Sequence, residues 1–276
     1  MAEQSGALHV LDEVTSRESG LIVGHAGNTG VVLFDRPDRA NAFDRAMLIA
    51  LESAWTTLGR DPSIRCLVLG ATSDRFFCAG RDLKEASDEG GLETTTMAGA
   101  PGTGFTSRIA GAPQPLVCAV DGKAVGGGLD FVLDADIVVA GQDALFIDPH
   151  VSVGYVSCRE SLGLAARIGM GQAMYLSLMG RGASLGASRA CELGLVQEVT
   201  HSGGALRRAL EIAEVIGSNS PSAVQRTLET ARFLTRASGY DLALQFGMEQ
   251  LLRQRTHPDS LEGPRAFVEG RSPAWK

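Results

Sequence analysis

The chain has 276 residues, of which 44% are hydrophobic and 21% charged, and a formal net charge of -7. That length suits one large α/β domain, or one domain with a helical appendage, able to bury its core without disulfides or metals. The acidic balance argues against nucleic-acid binding, which needs a basic face, but leaves room for an anionic ligand held by local basic residues.

In chain order, residues 1–19 read as an N-terminal arm, either flexible or an added strand, and they show no basic-then-apolar leader. Leu21–His25 and Gly30–Phe34 are short β-rich runs around a Gly-Asn turn and predict a hairpin. From Asn41 to Arg60, the apolar residues Phe43, Met47, Leu48, Leu51, Trp55 and Leu58 recur at helical spacing, and Asp61-Pro62 stops the helix. Cys66–Gly70 predicts a buried strand, and Phe76–Lys84 a strand end running into a loop or helix start. Ser87–Thr106, rich in Gly, Thr and Ser, is the segment expected to be most mobile. Leu116–Val120 is a further strand, leading through Asp121-Gly122 to Gly126-Gly127-Gly128 and an apolar helix. Strands at Ile137–Ala140 and Ala144–Phe146 follow, and beyond Leu162 the chain reads as mainly helical, with amphipathic stretches at Ala205–Ile216 and Leu242–Leu252. Strands alternating with helices predict α/β layers with a helical C-terminal region.

The five cysteines (Cys66, Cys78, Cys118, Cys158 and Cys191) are scattered and form no CxxC pair. They read as reduced thiols of a cytoplasmic protein, mostly small core residues. No apolar run approaches the roughly 18 residues of a membrane span, and no metal-ligand spacing is present, so neither a membrane nor a metal is expected.

Two glycine-bearing corners carry the chemistry. Each follows a strand, and the second opens a helix, so backbone amides at both can project outward. Facing one another, they would offer two N–H donors to one carbonyl oxygen and stabilise an enolate or tetrahedral oxyanion. Glycine is needed where backbone approaches a ligand closely, although a glycine triplet alone as often marks a tight turn. A phosphate loop is disfavoured, because no Lys-Ser/Thr pair follows Gly126-Gly127-Gly128.

Taken together, Phe77-Cys78-Ala79-Gly80-Arg81-Asp82-Leu83-Lys84-Glu85 resembles the F-x-A-G-A-D-[IL]-K-E motif of the crotonase (enoyl-CoA hydratase/isomerase) superfamily. Asp121–Asp130 resembles its partner N-G-x-A-x-G-G-G-x-E, about forty residues on. Asp35-Arg36-Pro37 with Asn41-Ala42, Ala183–Val196 and Glu262–Arg271 are similar to further family segments, so the resemblance spans roughly residues 20–275. It implies a crotonase (ClpP/crotonase-like) spiral of ββα units forming two sheets over residues 20–200, with the acyl-CoA site. A helical trimerisation region would follow at 201–276, in a homotrimer or dimer of trimers. The oxyanion donors would be the amides of Arg81 and Gly127. Ala79, Gly80, Arg81, Asp82, Leu83, Gly126 and Gly128 would form the substrate and CoA-binding surface, with Ala79 beside the adenine and pantetheine path. Coenzyme A would enter only as part of the substrate, with no other cofactor. The Arg81 side chain, alanine in the family, has two destinations open to it: a CoA phosphate or solvent.

The chain departs from a hydratase of this family at its two acid/base glutamates. Asp130 stands at the first and His150 at the second, within Phe146-Ile147-Asp148-Pro149-His150. Both remain competent for proton transfer, and Asp130 could instead cap its helix. Asp148, two residues earlier, would point differently if the segment is extended, and Glu160 would orient the imidazole if the chain folds back. Asp134 and Asp136 read as structural. The implied activity is enoyl-CoA hydratase/isomerase-type chemistry with Asp130 and His150. The alternatives are a C–C bond hydrolase of the superfamily, or an acyl-CoA-binding protein without turnover.

Overall fold

The computed structural model describes residues 9–82, 85, 102–234, 253, 257, 258, 262, 269, 271 and 274–276. Leu83, most of the Ser87–Thr106 segment and the Leu242–Leu252 stretch lie outside them. The N-terminal arm contributes a strand, β1 (Glu13–Glu18), antiparallel to β2 (Leu21–Ala26), which forms the expected hairpin with β3 (Thr29–Phe34). From β3 the sheet is parallel, through β4 (Cys66–Ala71), β6 (Leu116–Val120), β8 (Ile137–Gly141) and β11 (Glu198–Thr200), in the order β1-β2-β3-β4-β6-β8-β11. A smaller sheet runs β10-β9-β7-β5, from β5 (Phe76–Cys78), β7 (Lys123–Val125), β9 (Leu145–Ile147) and β10 (Leu185–Gly186).

The central strands are apolar on both faces because both are covered. Along β4, Cys66 and Val68 face the helix α6 (Ala205–Gly217), while Leu67 and Leu69 face the larger core, the period-two alternation of a strand. That larger core fills the space between the sheets. It takes in Met47, Leu51 and Trp55 of α1 (Arg45–Arg60) and an aromatic cluster of Phe34, Phe77 and Phe131. The apolar stripe of Ala205–Ile216 is therefore spent on the sheet within this chain.

Helix α1 begins later than its periodicity suggests. Asp44 caps it by accepting from Met47 N at 2.9 Å, which leaves Asn41–Phe43 as a strap outside the helix. Asn41 is fully buried with φ +53°. Its side chain accepts from Arg36 N and donates to Phe76 O, both at 2.8 Å. Asn41→Ala would deprive two backbone groups of these partners at once. We expect it to cost about 2–4 kcal/mol, measured as a lower urea midpoint with an unchanged slope. A change below about 0.5 kcal/mol would show that the strap is held by other means.

Two short strands, β10 and β11, interrupt the region read as helical beyond Leu162. The remaining helices there are α3 (Arg159–Ile168), α4 (Met170–Met179), α5 (Ala187–Glu192) and α7 (Pro221–Leu234). Asp134 and Asp136 are structural as expected: Asp134 accepts from Ser107 Oγ and Arg108 N, and Asp136 pairs with Arg232 at 2.7 Å. Among the described residues, no helix is long and apolar enough to cross a membrane.

Candidate active site

Strands β5 and β7 are parallel neighbours, so the chain leaves both at the same edge of the small sheet. This brings the two glycine corners side by side. Gly80 (φ +87°) lies so close to the second corner that a Cβ built on it would sit 2.8 Å from Val125 O and 3.1 Å from Gly127 N. Phe43 of the strap pins the first corner: its N–H donates to Gly80 O and its carbonyl accepts from Asp82 N, both at 2.9 Å. In a parallel bridge of this kind, the amide of the residue between, Arg81, is directed away from the Phe43 segment. At the second corner Gly126 (φ +55°) donates to Ile147 O at 3.0 Å, and Gly127 caps α2 (Gly128–Asp134). The Gly127 amide thus precedes the helix's own hydrogen-bond ladder. Gly128 packs on the Cys78 carbonyl, leaving no space for a Cβ.

Both corners line a cavity of about 600 Å³, with Ala79, Gly80, Arg81, Gly126 and Gly127 in its wall. Phe43 and Phe105 stack with centroids 6.0 Å apart and supply an apolar side. Asp130, His150, Arg159 and Glu160 line the same space. The structure therefore brings together Ala79, Gly80, Arg81, Gly126, Gly127, Asp130 and His150. Gly128 serves as packing behind the corner, and Asp82 pairs with Arg36 at 3.3 Å.

The Arg81 side chain does not extend into solvent. Its guanidinium is 7% exposed and pairs with Glu85 at 2.6 Å. The reason lies in the strap, which offers the Phe43 carbonyl to the same Nη1 at 3.5 Å.

Asp130 does not cap α2, since Gly127 holds that position. It is 8% exposed and meets Arg159 Nε at 3.4 Å. Burial, followed by the charge of Glu160, raises its carboxyl to about 7, against the opposing pull of Arg159 and His150. Near neutral pH it is poised both to give and to take a proton.

His150 opens a 3-10 turn, His150–Val153, so its segment is not extended, and Asp148 lies against its ring. Nδ1 lies 2.7 Å from Asp148 Oδ1, which fixes the donor on Nδ1 and leaves Nε2 on the other side, 3.5 Å from Glu160 Oε1. Asp148 is fully buried and also accepts from Ser157 Oγ at 2.5 Å and Ser177 Oγ at 2.6 Å. Burial alone would raise its carboxyl, but these bonds outweigh it and hold it down at about 2. The Asp148 hydrogen bond raises the His150 pKa above its ordinary value, with help from the charges of Glu160, Asp148 and Asp130 and against burial. The imidazole is thereby biased toward its charged form.

The site's setting matches known proteins along nearly the whole chain. The sequence profile of the enoyl-CoA hydratase/isomerase family fits residues 25–276. The chain belongs to this family. It is 32% identical over 277 residues to the enoyl-CoA hydratase EchA19 of Mycobacterium tuberculosis, covering 94% of this chain and 98% of that one. It is 31% identical over 247 residues to the mevalonyl-coenzyme A hydratase sidH of Aspergillus fumigatus, covering 89% and 90%. A crystal structure of an enoyl-CoA hydratase/isomerase from Mycobacterium paratuberculosis superposes with a TM-score of 0.84 at 32% identity, over 95% of this chain and 99% of that one. The fold is the crotonase fold, and the chain is an enzyme of the lyase and isomerase chemistry that defines this family.

Proposed function

We propose that this enoyl-CoA hydratase/isomerase family member hydrates the α,β-double bond of an enoyl-CoA thioester. One observation carries the reading: Asp130 and His150 face the same cavity as the Gly80–Arg81 and Gly126–Gly127 corners. The thioester oxygen accepts from the amides of Arg81 and Gly127, which stabilise the enolate that forms as Cβ is attacked. Ala79 borders the path of the CoA portion. Asp130 supplies the proton to Cα, and His150 stands on the side of the cavity where the water adds at Cβ. Coenzyme A arrives as part of the substrate, and the mechanism needs no metal or further cofactor. The protein works in the cytoplasm as a homotrimer or dimer of trimers, with neither nucleic acid nor membrane as partner.

Crotonyl-CoA tests the activity. Loss of the conjugated thioester's ultraviolet absorbance, matched by appearance of 3-hydroxybutyryl-CoA, is the expected result. Cleavage of a β-keto-CoA without hydration would replace this reading with the C–C hydrolase. Tight acyl-CoA binding with no turnover of either would make the chain a binding protein.

A further inference from the structure

Glu160 has no part in the reaction as written so far, yet its placement is costly. It is the second residue of α3, a helix with an exposed face available, and it is nonetheless 6% exposed in the wall of the reaction cavity. Burying a carboxylate is unfavourable unless it is well paired. It meets His150 Nε2 at 3.5 Å, a long and imperfect contact for a buried carboxylate that lines the cavity. Asp130, across the cavity, senses the Glu160 charge, which places the two carboxylates within electrostatic reach of one another. The imidazole that Glu160 meets is clamped on its other nitrogen by Asp148, itself fixed by Ser157 and Ser177.

We propose that Glu160 is the second acid/base carboxylate of the site, paired with Asp130, and that His150 is a positioning residue linking Glu160 to the buried Asp148. The proposal rests on the hydratase reading. A water lies between Glu160 and Cβ. Its oxygen forms the bond to Cβ while Glu160 accepts its proton. The Cα=Cβ electron pair moves toward the thioester, where the Arg81 and Gly127 amides hold the enolate. Protonated Asp130 then gives its proton to Cα. The proton on Glu160 leaves through solvent and Asp130 regains one, so the net change is one water added across one double bond. A two-carboxylate site is thus rebuilt, with the second carboxylate ten residues downstream of His150 and brought back by the turn at 150–153.

The test uses two readouts on the full chain: hydration of crotonyl-CoA, and exchange of the Cα hydrogens of butyryl-CoA in D₂O, which needs Asp130 and the oxyanion amides but no attack at Cβ. Glu160→Gln should lower hydration kcat by about 10²–10⁴, while Cα exchange falls far less and butyryl-CoA binding stays within about threefold. Glu160→Asp, which keeps the carboxylate, should recover part of the loss. His150→Gln should cost less than Glu160→Gln and move the pH profile of kcat. Full hydration by Glu160→Gln would overturn the proposal while leaving the hydratase reading standing. So would an equal loss of hydration and exchange in both Glu160 variants. Absence of hydration by the wild-type protein would overturn the hydratase reading itself and the proposal with it.

Discussion

Gly80→Ala should lower kcat/KM on an enoyl-CoA by about 10²–10³, the loss seen when one oxyanion donor is removed. The added Cβ would meet Val125 O at 2.8 Å and Gly127 N at 3.1 Å. Backbone on both sides leaves it no flexible neighbour to displace, so the two corners must part and the two amides can no longer converge on one oxygen. The positive φ adds strain of roughly 1–2 kcal/mol. Gly27→Ala separates the two effects: Gly27 also has a positive φ, +55°, but nothing lies within 4 Å of its Cβ position. Gly27→Ala should lose stability and keep turnover, whereas Gly80→Ala should lose both. Steady-state kinetics with a thermal melt on each variant checks this, and equal turnover in the two would remove Gly80 from the oxyanion corner.

Asp130→Asn should lower turnover by about 10²–10⁴ and raise the melting temperature. The carboxamide cannot deliver a proton to Cα, yet it fits the same space without the cost of a buried charge. The sign follows from the direction of the shift. The folded carboxyl is raised to about 7 from the ordinary aspartate value of about 3.9, so its ionisation opposes folding increasingly between those values and fully above them. The gain in melting temperature should therefore be absent near pH 3–4 and largest above pH 7. The wild-type pH profile carries the same signature. If Asp130 gives the proton to Cα, hydration needs its protonated form, so kcat/KM for hydration should fall as pH rises through about 7. A wild-type profile flat from pH 6 to 9, or an Asp130→Asn variant that melts lower at pH 8, would contradict this.

Much of this was legible in the sequence because glycine at a close backbone approach is irreplaceable. Gly80 and Gly127 occupy positions where a side chain would strike Val125 or Phe43, so both corners stand out in the residue string. Strands with continuous apolar runs, such as Cys66–Gly70, were legible for a similar reason: only a doubly covered sheet accommodates them. What was not legible depends on long-range geometry. Phe43 has helical spacing to Met47, but the Asp44 cap removes it from α1, and its partner is Arg81, far along the chain. The Arg81 guanidinium turns inward to Glu85 because of that same strap. The Asp148–His150 contact forms where the chain enters the 3-10 turn at His150, which the residue string does not announce. Glu160 was visible only as a group that could orient the imidazole. Its place in the cavity wall depends on the chain folding back after Gly154, which has φ +78°. Strands β10 and β11 are too short to show any alternation.

On this proposal the two corners form one oxyanion hole with the acid/base groups beyond it. The most direct test is a crystal structure of the protein with butyryl-CoA bound. The thioester oxygen is expected at about 2.7–3.1 Å from both Arg81 N and Gly127 N, with Cα facing Asp130 and Cβ facing the His150–Glu160 side. A thioester carbonyl bound outside the reach of these two amides, or an acyl chain running away from Asp130, would contradict it.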